Sequence, residues 1–97
     1  MNTYTQEVFG MFSGEKKRVH LRFDNRLLDV AIERFGKSGN ASYSRPDKDH
    51  FDVSVDVEVS DQFFSWVCAF RKQCKILAPI DVVEAMQEYL KELNDLY

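Results

Sequence analysis

The sequence is short of nearly everything that marks a catalytic or metal-binding chain. It has two cysteines, Cys68 and Cys74, and two histidines, His20 and His50. Two cysteines make no disulfide framework, and six residues apart in a segment that reads as one helix they are badly placed to pair. They are expected to be reduced thiols of a cytoplasmic protein. Neither histidine has a cysteine or carboxylate at ligand spacing, so no metal site is expected. The four glycines are dispersed and form no loop that could cradle a phosphate. No Gly-x-Ser-x-Gly run occurs, and no nucleophile stands beside a base that a third group could orient. The chain is therefore expected not to be an enzyme and to need no cofactor. No apolar run is long enough to span a bilayer, so no membrane role is expected. Met1 to Glu7 lacks the basic and apolar regions of a secretory signal. Base is not in surplus either. The 13 Lys and Arg are outnumbered by 16 Asp and Glu, giving a net charge of -3. That removes any chain-wide attraction to phosphate and leaves room only for a local basic patch.

What is present is the pattern of one small globular domain. The 97 residues are 44% hydrophobic and 30% charged, enough to build one core without metals or disulfides. Residues 1–15 read as a connector, with Tyr4, Val8, Phe9, Met11 and Phe12 too apolar for a free tail. Lys17 to Phe23 alternates strictly, Val19, Leu21 and Phe23 facing one way and Arg18, His20 and Arg22 the other, as in a half-buried strand. Asp24 caps a helix whose apolar stripe is Leu27, Leu28, Ala31, Ile32 and Phe35, with Gly36 as its C′ terminator. Residues 41–45 form a weak strand, and Arg45 to Asp49 carry turn chemistry. Phe51 to Val59 alternates apolar and polar throughout, a strand with one wet face.

Ser60 caps a second helix, in which Phe63, Val67, Phe70 and Cys74 recur at helical spacing, with Trp66 flanking. Lys75 to Ala78 is a short strand. Pro79 ends it and opens a final helix, where Asp81 and Glu84 have capping-box spacing. In that helix Val83, Met86, Leu90, Leu93 and Tyr97 recur at alternating intervals of three and four. Two readings of this stripe stay open: it folds back on its own domain, or it is a helix seam for a partner.

The order βαββαβ plus a trailing helix predicts an α+β fold, a ferredoxin-like sandwich with an additional C-terminal helix. In that topology the first and third strands are central neighbours. Their wet faces are then basic (Arg18, His20, Arg22) and acidic (Asp52, Asp56, Glu58), and opposite charges across the pair set the register. RNA modules of this fold stack bases on aromatics of those strands. No Phe, Tyr or Trp stands on the wet face here, and the acidic strand would repel phosphate.

Phe9-Gly10-Met11-Phe12-Ser13-Gly14-Glu15, Val19-His20-Leu21-Arg22-Phe23-Asp24 and Glu33-Arg34-Phe35-Gly36 are similar to the C-terminal part of bacterial WYL-domain transcriptional regulators. The strand to Val59, Ser60-Asp61, Trp66 and Ile76-Leu77-Ala78-Pro79 continue the pattern. That part is the WYL C-terminal extension, or WCX domain. The resemblance implies that residues 1–15 lead from a preceding WYL domain and that 16–97 are the ferredoxin-like WCX domain. It implies a non-enzymatic regulatory and assembly module, packing against a WYL domain of the same or a partner subunit, in a homodimer that relays effector sensing. DNA would be bound only through an N-terminal winged-helix domain that this sequence lacks. For some members the effector is a single-stranded nucleic acid. The resemblance puts functional weight on Arg22 and Arg34, with Arg18 and His20 beside them. The competing reading of Arg22 and Arg34 is a structural salt bridge. The rival function is a stand-alone ferredoxin-like small-molecule-binding or dimerisation domain.

Overall fold

A computed structural model describes residues 15–36 and 40–97. The connector expected over 1–15 lies outside the described residues, except for Glu15, which opens the first strand. Four strands form one antiparallel sheet: β1 (Glu15–Asp24), β2 (Ser42–Ser44), β3 (His50–Val59) and β4 (Cys74–Ala78), in the order β2-β3-β1-β4. Three helices join them: α1 (Leu28–Phe35), α2 (Asp61–Cys68) and α3 (Ile80–Asn94). The architecture is α+β, and β1 and β3 are the central pair.

The register follows the charge pattern. Lys16 lies opposite Glu58, Arg18 opposite Asp56 and Arg22 opposite Asp52. A slip of one residue would turn every apolar side chain of β1 outward, so the buried alternation and the charge pairs enforce the same alignment. On the inner face Val19 meets Val55, Leu21 meets Val53 and Phe23 meets Phe51. The two phenylalanine rings stack at 5.1 Å. The helices cover this face with Ala31 and Phe35 from α1, Phe63, Phe64 and Val67 from α2, and Val82 from α3. Each of the phenylalanine and valine side chains contributes about 1.5–3 kcal/mol by leaving water.

The local chemistry departs from expectation at five places. Asp24 accepts from the Arg26 amide at 2.9 Å, but what it caps is a 3-10 turn, Asn25–Leu27, that leads into α1. The turn is pinned from below: Asn25 donates from its amide to the Asp49 carbonyl and from Nδ2 to the Lys48 carbonyl. Of the stripe expected on α1, Ala31 and Phe35 are buried while Leu28 and Ile32 lie open. Gly36 is the C-cap in right-handed helical conformation, not a left-handed C′ residue. Its glycine is required by space, since a Cβ there would lie 2.5 Å from the Ile32 carbonyl oxygen.

The second helix ends earlier than the apolar periodicity suggests. Cys68 is its last residue, a 3-10 turn (Arg71–Gln73) follows, and Cys74 begins β4. The two cysteines are therefore on different elements. Nor do Asp81 and Glu84 form a capping box. Pro79 holds the N-cap position and accepts the Val82 and Val83 amides on its carbonyl, while Asp81 pairs with Lys17 of β1 at 2.8 Å. This ion pair fastens the first turn of α3 to the sheet. Among the described residues no helix is long and apolar enough to cross a membrane.

Candidate functional site

The outer face of the sheet brings Arg18, His20 and Arg22 together, each at a two-residue step along β1. The acidic strand beside them takes up all three. Arg22 is bidentate on Asp52, Nε to Oδ1 at 2.8 Å and Nη2 to Oδ2 at 3.1 Å. His20 places Nε2 3.0 Å from the same Oδ2. An ionised carboxylate only accepts, so Nε2 is the nitrogen carrying a proton in this contact. Arg18 donates to Asp56 at 3.3 Å and to the Ser54 carbonyl at 3.2 Å. The two arginines of the basic row are thus each paired with a carboxylate of their own sheet.

Asp52 is the centre of this arrangement, and the alternation pattern misplaces it. Its position on the wet face predicts exposure, yet it is 5% exposed, the one buried charged residue among those described. The side chains of Arg22 and His20 lie across it, and Ser44 of β2 sits opposite on the other side. The Arg22 fork holds the Asp52 carboxyl below the usual carboxylate range, against the opposing effect of burial, and His20 adds to it. Arg22 is raised in turn, chiefly by its hydrogen bond to Asp52. A surface salt bridge of small worth is therefore the wrong description of Arg22. It is the counter-ion of a buried carboxylate.

Arg34 does not join this cluster. It lies in the helix layer with its guanidinium 5.5 Å from the centre of the Trp66 ring, a cation–π contact in place of the salt bridge of the competing reading. Trp66 is half-buried and meets Phe23, Phe35 and Phe70 edge to face at 6.2, 5.5 and 5.0 Å. His50 is likewise committed, with Nδ1 2.9 Å from Asp47. No three His, Cys, Asp or Glu side chains converge among the described residues. Burial raises the Cys68 thiol, and pushes that of Cys74 up to about 12, so Cys74 carries no thiolate near neutral pH.

The final helix divides in two. Its inward stripe is Val82, Ala85, Met86 and Tyr89, with Tyr89 and Phe64 rings 5.4 Å apart. This stripe is rotated from the expected seam, of which only Val83 and Met86 pack on the core. Leu90 and Leu93 are open, whereas Tyr97, expected in the same stripe, lies with Leu96 beyond Asn94, the last residue of α3, and both are open. A second feature escaped the sequence reading. Arg71 and Lys72 are among the residues lining an apolar hollow between α2, β4 and α3, and Lys75 borders it from β4, its side chain on the outer face opposite Arg22. The signal was there: three of the five residues Arg71-Lys72-Gln73-Cys74-Lys75 are basic, in a chain of net charge -3.

No curated protein and no solved structure matches the chain. Residues 15–93 match the family model of the WCX domain, so the chain belongs to the WCX domain family.

Proposed function

We propose that this chain is the non-enzymatic regulatory and assembly module of a WYL-type transcriptional regulator, docking on a WYL domain of the same or a partner subunit. The observation that carries the reading is the distal half of α3. Leu90 and Leu93 are 46% and 43% exposed, and Leu96, just beyond the end of the helix, is 73% exposed. An apolar patch held on a rigid helix beyond the edge of its own core is a surface that a partner covers. The strand order β2-β3-β1-β4 supports the finer description of the sheet as ferredoxin-like.

In this reading the sheet face maintains the module's shape, and α3 makes the contact. Arg18, His20 and Arg22 are occupied by Asp52 and Asp56, which leaves them less apt to seize a nucleic-acid effector unaided. An effector would meet the half-exposed Arg18 before the others. Homodimerisation follows if each module docks on the WYL domain of the other subunit. The test is sedimentation velocity of the module, the WYL domain of its regulator, and the mixture. A faster-sedimenting complex at micromolar concentration is expected. Two independent boundaries would refute the assignment.

A further inference from the structure

The sequence Arg71-Lys72-Gln73-Cys74-Lys75 concentrates positive charge where the chain passes from α2 through a 3-10 turn into β4. This passage borders a hollow of about 400 Å³. Its floor is apolar, built from Val67, Ile76, Val83, Met86 and Leu90. Arg71, Lys72 and Lys75 line it as well, and no carboxylate does. None of these three cations forms an ion pair among the described residues. The two strand arginines, Arg18 and Arg22, are by contrast each matched with an acid.

The backbone adds a separate observation. Arg71 has φ 56°, and it is the one non-glycine residue in the left-handed region among those described. Glycine adopts that conformation freely, whereas a side chain strains it. Strained backbone recurs where a ligand is clamped. Here the strained position belongs to a residue that lines the hollow.

We propose that this hollow binds a small organic anion with an apolar body, a carboxylate on a hydrocarbon chain. The volume is that of a small-molecule site, and the composition is the usual one: an apolar lining with a few convergent polar groups. Lodged tail-inward, such a ligand removes the methyl and thioether surface of the floor from water. Its carboxylate meets the Arg71 fork, which matches it in shape, with the Lys72 ammonium beside it. A hydrophobic cation would meet like charge. The site does not depend on docking to a WYL domain, and it is tested on the module alone.

The experiment is a ¹H–¹⁵N NMR titration with decanoate, decanol and decyltrimethylammonium in parallel. Decanoate is expected to give saturable shifts at Val67, Cys68, Met86 and Leu90, with decanol weaker and the ammonium compound without saturation. Arg71→Gly should weaken decanoate binding about tenfold while its melting temperature stays equal or rises. If that variant fails to fold, Arg71→Asn, which also tolerates the left-handed region, replaces it. Lys72→Gln should weaken binding further. Equal binding of carboxylate and ammonium, an unaffected Arg71→Gly, or shifts confined to β1 and β3 would overturn the proposal. Shifts at the same residues that depend on protein concentration alone would also overturn it, since a second copy would then be the occupant.

Discussion

Arg22 grips Asp52 across the two central strands with a pair of parallel hydrogen bonds, 2.8 and 3.1 Å, and Asp52 is buried beneath it. Removing the guanidinium strands a carboxylate with only His20 as partner. Breaking a buried pair costs several kcal/mol, but Arg22 is itself about a third exposed, so Arg22→Ala should destabilise by about 2–3 kcal/mol. Arg22→Lys should restore part of this, because a point charge replaces one bond of the fork. Urea melts at unchanged slope would measure both. A loss below about 0.5 kcal/mol for Arg22→Ala would mean an ordinary surface pair.

Acid should attack the same pair. The carboxyls of Asp52, Asp24, Asp47 and Asp81 are all lowered, each chiefly by a hydrogen bond it accepts. A group lowered in the folded state contributes stability that is complete above its unfolded range and is lost as pH falls through its folded value. The urea midpoint is therefore expected to be flat from neutral pH to about 5 and to fall below that. Asp52→Asn should start lower and fall less steeply. An acid limb as steep as that of the parent chain would remove Asp52 from the account.

The aromatic cluster separates packing from charge. Trp66 touches three other rings, so Trp66→Ala should cost about 3–4 kcal/mol despite the ring's partial exposure. Arg34 lies over the same ring from an exposed position, so Arg34→Ala should cost about 0.5–1 kcal/mol. Equal losses would show that the guanidinium braces the ring. Thermal melts of the two variants and their double mutant would tell.

Much of this fold is written in local pattern. Strict alternation in β1 and β3 identified the strands, and opposite charge on their wet faces identified their register, because both signals repeat every two residues. Periodicity failed where one element hands over to the next. Cys74 continues the helical spacing of Phe63, Val67 and Phe70, yet it belongs to β4, because the helix stops at Cys68 and the chain turns through the left-handed Arg71 before the strand begins. Alternation also assigns a face without assigning depth. It put Asp52 outside, but the long side chains of Arg22 and His20 cover it. The outer half of the α3 stripe was legible as apolar spacing, while the cationic hollow needed three elements brought together in space.

The claim that α3 is the docking element is tested most directly by a calorimetric titration of the WYL domain with three forms of the module: unaltered, Leu90→Glu with Leu93→Glu, and Arg18→Ala. All three should melt within a few degrees of one another, because the substituted side chains lie outside the buried core. The account predicts that the leucine variant loses the binding heat at every accessible concentration while Arg18→Ala keeps it within about threefold. Binding by the leucine variant at the affinity of the unaltered module, or its loss in Arg18→Ala instead, would contradict it and place the contact on the sheet.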